Sequence, residues 1–297
     1  MSHIGIIERT MEGLEQGLQV QHIATFEPLR VCGLEDSVSN VLADPAALGI
    51  DQFPVKKDKE VVGILVRLAG YQDGARVEEV YDCLRDCMLV SADEPIAHYI
   101  EICGTPPYYR LVVKGDKIQG IVTRGDLHKL PVRVVAFAFV THLEMVLAEV
   151  IERKWPDEAW CGRLNAKRLE KAEKEQDKRV AGRAEISLLE CTQFCDKREL
   201  VRKAYNLKGQ FTRDLKDIEC LRNSLAHASC LVQSNKTLPE FVGRVAKAKK
   251  WIRELHERLK SRTNGGTDAC APSHPSVADC KTRRPRKAAA RQAESSD

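Results

Sequence analysis

Residues 118–127, Ile118-Gln119-Gly120-Ile121-Val122-Thr123-Arg124-Gly125-Asp126-Leu127, decide how the N-terminal half of the chain is read. Tyr109 to Val113 is β-prone, Lys114-Gly115-Asp116-Lys117 is a charged turn containing glycine, and Ile118 to Val122 is β-prone again, which predicts a hairpin. Thr123 then opens a helical start with Asp126 three residues on, a capping-box spacing with a shorter acid than usual. A threonine hydroxyl and free helix amides can hold a phosphate, and a carboxylate can accept hydrogen bonds from ribose hydroxyls. Working upstream, Val90-Ser91-Ala92-Asp93-Glu94-Pro95-Ile96 leads into a helix expected around Ala97 to Cys103.

The same order occurs earlier in weaker form. Cys32 to Leu48 reads as a helix-like segment after Glu27-Pro28-Leu29. Gln52-Phe53-Pro54-Val55 then passes through the charged turn at Lys56 to Glu60 into Val61-Val62-Gly63-Ile64-Leu65. Aligning Gly63 with Gly120 puts Val66 in the place of Thr123 and Ala69 in the place of Asp126, so the first copy lacks the polar pair.

The stretch from Met88 to Val135 resembles a CBS domain, a module that usually occurs in pairs and often binds adenosine nucleotides between its halves. The resemblance implies a tandem module over residues 1–135, with a clear second copy and a degenerate first. It also implies an adenine nucleotide site at Gly120, Thr123 and Asp126, with Thr123 on phosphate and Asp126 on ribose. Val66 and Ala69 limit that to one site per chain, or to a packing and dimerisation element without ligand.

The rest of the folded chain reads as helical. Val132 to Ile151 carries Phe137, Phe139, Leu143, Val146 and Leu147, with Arg133 and Glu144 bounding its longest uncharged part, which predicts a core helix and no membrane span. The charged stretch Leu164 to Gly182 reads as a solvated helix face or a partly mobile connection, and further helices are expected from Ala184 to about Cys195, over Arg198 to Tyr205 and Thr212 to Ser229 with Gly209 marking the turn between them, and over Leu238 to Leu259. Four or five helices with short connections make a bundle. The predicted fold class is therefore α+β: a paired module, a helical bundle over 136–260, and a disordered basic tail over 261–297.

Residues 222–227 of that bundle read Arg-Asn-Ser-Leu-Ala-His, beside the apolar stripe Leu215, Ile218, Leu221 and Leu225. Asn223 and His227 are four apart and share a face, and Arg222 lies about 100° round and can reach the same groove. A guanidinium matches phosphate oxygens and an imidazole moves a proton near neutral pH, so the trio suits a phosphodiester. An ordinary solvated face also carries such residues, with Arg222 paired to Asp217 or Glu219.

The string resembles the Arg-Asn-three-residues-His motif of the HEPN superfamily, which includes metal-independent ribonucleases as well as non-catalytic members. The resemblance implies that Arg222 and His227 are the catalytic pair, Asn223 their polar support, and a homodimer the unit that joins two motifs. The expectation is a metal-independent endoribonuclease acting on RNA, regulated by adenine nucleotide. The alternative is a non-catalytic dimeric nucleotide-sensing or scaffold protein.

Of the formal net charge of +4, the last 37 residues carry +3, mostly in Lys281 to Lys287, which leaves a nearly neutral body and argues against coating long nucleic acid by charge alone. Among eleven cysteines no Cys-x2-Cys occurs, and the i,i+4 pairs Cys83/Cys87 and Cys191/Cys195 have no second pair nearby, so no metal is expected. Met1 to Val20 includes Glu8, Arg9, Glu12 and Glu15 without an apolar run, which predicts no secretory signal and a cytoplasmic protein with reduced thiols.

Overall fold

The computed structural model describes residues 3–26, 28–227 and 230–263. After helix α1 (His3–Gly17) come eight short strands: β1 (Thr25–Phe26), β2 (Cys32–Gly33), β3 (Gln52–Lys57), β4 (Glu60–Val66), β5 (Asp82–Cys83), β6 (Leu89–Ser91), β7 (Tyr109–Lys114) and β8 (Lys117–Thr123). They form two four-stranded mixed sheets, ordered β2-β3-β4-β5 and β1-β8-β7-β6. Each sheet follows one plan: a short parallel strand, a hairpin, and a short antiparallel edge.

The repeat extends to register. The hairpins bulge at matched places, between Val55 and Lys56 and between Val112 and Val113, and Gly63 faces Val55 as Gly120 faces Val112. Their turns place Asp58 (φ +55°) and Gly115 (φ +66°) in the left-handed region, which glycine enters freely and aspartate more easily than most residues. The edges are exchanged: β1, ahead of the first copy, closes the second copy's sheet, and β5 closes the first. Both hairpin glycines serve that closure. A Cβ at Gly63 would lie 2.2 Å from the Asp82 carbonyl, and one at Gly120 would lie 2.9 Å from the Thr25 carbonyl.

Helices α2 (Val38–Ala43), α3 (Val77–Val80) and α4 (Ile96–Ile102) are short. The continuous helix-like segment expected over Cys32 to Leu48 is divided into β2, α2 and a 3-10 turn. Pro45 disfavours helical geometry in Asp44, whose ψ is 118°.

The C-terminal part is built from α5 (Leu130–Lys154), α6 (Ala166–Ala181), α7 (Phe194–Ala204), α8 (Gly209–Ala226) and α9 (Leu238–Thr263). Three expected boundaries move. Residues 184–190 are not helical, because the Ser187 amide donates to Glu190 (2.7 Å) and the Glu190 amide to Ser187 Oγ (3.2 Å), closing a local turn that still buries Leu188 and Leu189. The helix expected from Arg198 starts at Phe194, where the Gln193 amide donates to Asp196 (3.0 Å). Gly209 is the first residue of α8, the reversal being made by residues before it, including Asn206 at φ +48°. Ala228 and Ser229 lie outside the described residues, as does the expected tail from residue 264 on; Ser261 to Thr263 belong to α9.

One core runs through the second copy and the helices. Val90, Ile96 and Val122 join Val132, Val135, Phe139 and Leu143 of α5, then Phe194, Leu215, Phe241 and Trp251, so the expected boundary at residue 135 falls inside continuous packing. The first copy has a smaller core of its own around Phe53, Val55, Leu65 and Val77, and Ile64, Met88, Tyr109, Leu111 and Ile121 join the two sheets. Helix α5 is long and apolar enough to cross a membrane by length and composition, and 56% of that apolar window is buried in the protein.

Candidate functional site

A cleft of about 930 Å³ opens between the two copies. It has a two-fold character visible in its lining: the Gly63/Gly120 alignment pairs residues 49–52 with 106–109, 66 with 123 and 68 with 125, and all of them line it. The halves differ chemically where Val66 and Leu68 of one face Thr123 and Gly125 of the other. Arg30, Arg85 and Arg124 line it together with Asp51 and Asp82, and Arg30 pairs with Asp44 at 3.5 Å. The Tyr109 hydroxyl donates to Asp82 at 3.5 Å; burial, and then the Asp82 charge, push its pKa up to about 12, so it stays a proton donor.

Thr123 and Asp126 meet, but not side by side on the cleft. The Asp126 carboxylate accepts the Thr123 amide (2.6 Å) and hydroxyl (3.1 Å) on one oxygen and pairs with Lys129 (2.7 Å) through the other. Asp126 is 7% exposed and sits behind the turn, whereas Thr123, Arg124 and Gly125 line the cleft. Phosphate oxygens only accept, so the Thr123 hydroxyl reaches one by turning its proton away from Asp126. Gly120 lies under β1 and makes room for it.

In the first copy the residue matching Arg124 is Arg67, and it turns inward. Its guanidinium donates to the carbonyls of Ile50 (2.9 Å), Leu42 (3.0 Å) and Ala47 (3.2 Å). Arg124 instead donates to Asn235 Oδ1 at 2.7 Å, and Asn235 itself lines the cleft. The ring of His128 bonds the Val232 carbonyl (3.0 Å). Thus the turn that carries Thr123 and Asp126 also holds the segment from Cys230 to Thr237, which follows residues 222–227. Sequence reading overlooked Arg30, Arg85, Arg124 and Asn235, because they converge from separate loops and no spacing joins them.

Residues 222–227 lie at the C-terminal end of α8. Leu221 is buried and Leu225 packs on the core, as the stripe implies, while Asn223 and His227 are exposed. His227 is the first residue beyond the helix, and its amide donates to the Asn223 carbonyl at 3.1 Å. Arg222 pairs with Glu144 of α5 (3.5 Å) and not with Asp217 or Glu219, which are held by Lys247 and Arg198. Glu144 also anchors Lys197 (3.0 Å), which is 3% exposed and donates to the Thr192 carbonyl (3.0 Å). His142 is buried, its ring 5.4 Å from that of His256, and it joins Leu225 and Ala226 in lining a second, apolar groove of about 850 Å³.

The cysteine pairs do not share helix faces: Cys83 is on β5 and Cys87 in a 3-10 turn, and Cys191 precedes α7 while Cys195 is within it. Among the described residues no group of three or more His, Cys, Asp or Glu side chains is placed to hold a metal.

No protein-family model matches the chain, and no curated protein does. Solved structures similar to it include a crystal structure of a CBS domain, at TM-score 0.31 and 24% identity, over 37% of this chain and 93% of that one. They also include the CBS domain of a bacterial CNNM/CorC family Mg2+ transporter in complex with ATP, at TM-score 0.33 and 17% identity, over 41% of this chain and 91% of that one.

Proposed function

We propose that this chain is a nucleotide-sensing protein in which a paired CBS-like module reads an adenine nucleotide and passes its occupancy to the helical domain. The observation that carries this reading is the cleft between the copies, lined by three arginines and with a hydroxyl-bearing turn on one side only. The asymmetry limits it to one nucleotide per chain, with phosphate toward Thr123 and Arg124. Asp126 holds the turn in shape, and a ribose contact requires its carboxylate to be shared with Thr123 and Lys129.

The route to the helical domain is physical contact. A phosphate that draws Arg124 off Asn235 removes one of the bonds holding the segment that follows His227. Calorimetry with AMP, ADP and ATP tests the reading: one of them binds at one site per chain, and Thr123→Val weakens it by about 1–3 kcal/mol. No binding of any of the three, checked by a second method, refutes it.

A second reading rests on the exposure of Asn223 and His227 beside a guanidinium that is 42% exposed. In it, His227 takes the proton of a ribose 2′-hydroxyl as that oxygen attacks the adjacent phosphorus. The 5′-oxygen leaves and takes a proton, and a cyclic phosphate remains. Arg222 stabilises charge on the phosphoryl oxygens, and Asn223 orients the phosphate or the imidazole. One imidazole cannot easily serve as base and acid together, so a second copy supplies the other, and no metal enters. Single-stranded RNA incubated with chelator is then cleaved by the wild type and spared by Arg222→Ala and His227→Ala at unchanged helicity; cleavage surviving both substitutions removes this reading.

A further inference from the structure

Two of the chain's three tryptophans meet at the C-terminal end of helix α5. The helix stops before Trp155-Pro156, and Asp157 (φ +54°) and Glu158 (φ +59°) then take two successive left-handed steps that lead the chain to Trp160. The turn that starts at Ser187 closes the other side, and a cavity of about 240 Å³ remains between them. Glu152, Trp155, Asp157, Glu158, Trp160 and Ser187 line it, and among the described residues no lysine, arginine or histidine does. The 25 residues of α5, about 37 Å of helix, separate it from the turn at Thr123, so it is no part of the nucleotide cleft.

Both indoles hold a donor without an acceptor. Trp155 is 9% exposed and Trp160 2% exposed, yet neither side-chain N–H has a hydrogen-bond acceptor among the described residues. Trp251 shows the ordinary outcome for a buried indole, its N–H donating to Asp214 at 3.1 Å. The N–H groups of Trp155 and Trp160 are not sealed in the interior, and the cavity is where both rings meet solvent. Its rim makes the opposite demand. Asp157 and Glu158 are exposed, and their carboxylates have neither an ion pair nor a hydrogen bond among the described residues. Glu152 adds to the negative potential. The Trp155 ring already draws one cation of this chain, the Arg163 guanidinium at 4.8 Å, which does not line the cavity.

A ligand that meets both demands brings a cation for the carboxylates and an acceptor for the indole N–H groups, a side chain's length apart. A lysine or arginine residue within a peptide has that form, with its ammonium or guanidinium at one end and a main-chain carbonyl at the other. Size agrees, since about 240 Å³ is below the roughly 300–1,000 Å³ of small-molecule and cofactor sites and suits one long side chain. We propose that this cavity takes a lysine or arginine side chain of a partner polypeptide, with the cation held by Asp157 and Glu158 and a main-chain carbonyl accepting from Trp155 or Trp160. Tryptophan in a desolvated pocket is a common anchor of protein contacts. The site stands whether or not the cleft holds a nucleotide.

Titration of the isotope-labelled full chain, followed by NMR at its three indole N–H signals, tests this. Trp155→Phe and Trp160→Phe assign the signals by loss of one each. The probes are acetyl-Ala-Ala-Arg-Ala-Ala-amide and its variants with lysine, citrulline or leucine in place of arginine, each taken to millimolar concentration. The arginine and lysine peptides are expected to shift the Trp155 and Trp160 signals to saturation and to leave that of Trp251 in place, and the two uncharged peptides to shift none. Asp157→Asn with Glu158→Gln is expected to weaken binding about tenfold without lowering the melting temperature, since both side chains are exposed. No shift with the charged peptides, equal shifts with the leucine peptide, or wild-type binding by the double variant overturns the proposal. So does agmatine, a free guanidinium, binding as tightly as the arginine peptide, because the main-chain carbonyl then contributes nothing and the cavity belongs to small cations.

Discussion

Glu144 is the acid on which two cations depend, and Glu144→Ala measures what it holds. Lys197 is 3% exposed, and its ammonium has the Glu144 carboxylate and the Thr192 carbonyl, each at 3.0 Å. Removing the carboxylate leaves a buried charge with one carbonyl, and breaking a fully buried pair in this way costs about 3–5 kcal/mol. The Glu144 side chain is 23% exposed, which lets water reach the vacated position and lowers the expected cost to about 2–3 kcal/mol. Arg222, at 3.5 Å and 42% exposed, contributes at most about 1 kcal/mol through the same acid. At about 2–4 °C per kcal/mol for a chain of this size, the variant melts roughly 5–10 °C below the wild type. Urea denaturation and thermal melting at neutral pH give both figures. The paired replacement Glu144→Leu with Lys197→Met, which removes both charges, is expected within about 1 kcal/mol of the wild type. If Glu144→Ala melts with the wild type, or Arg222→Ala costs as much as Glu144→Ala, then Glu144 does not serve Lys197 as argued.

Gly115→Ala is expected to cost about 1 kcal/mol in thermal denaturation, purely from its left-handed backbone, since no atom lies within 4 Å of the added Cβ. Gly63→Ala is expected to cost more, about 1–3 kcal/mol, because its Cβ meets the Asp82 carbonyl at 2.2 Å and pushes β5 off the sheet; equal costs for the two would contradict the edge closure. Asn235→Ala frees Arg124 from its bond and is expected to tighten nucleotide binding by about 0.5–1.5 kcal/mol in calorimetry, whereas weaker binding would show that Asn235 itself contacts the ligand. Truncation after Thr263 is expected to leave the melting temperature unchanged, because among the described residues of α9 the last buried core side chain is Leu259.

Local chemistry was legible in the chain. The second hairpin, its glycine turn, the capping of Thr123 by Asp126 and the matching first hairpin all depend on residues within a few positions of each other, and alternation and turn chemistry act over that range. The apolar stripe of α8 was legible for the same reason, down to the burial of Leu221. Where local signals conflicted, reading failed: Leu188 and Leu189 suggested a helix, but the Ser187–Glu190 turn buries them without one. In the first copy, Pro45 outweighed the helical pattern around it.

By itself, then, the sequence determined that two copies of one strand-and-helix unit precede a set of helices, and that only the second copy carries the hydroxyl and carboxylate. It could not say where those groups point. Tertiary structure decided that Thr123 faces the cleft while Asp126 is spent on its own turn, and that Arg67 folds inward where Arg124 reaches Asn235. It also decided that Arg222 leans on Glu144, and that β1 and β5 are exchanged between the sheets. Hydrogen bonds and ion pairs select partners by distance in space, and residues brought together from opposite ends of a chain leave no periodic trace along it.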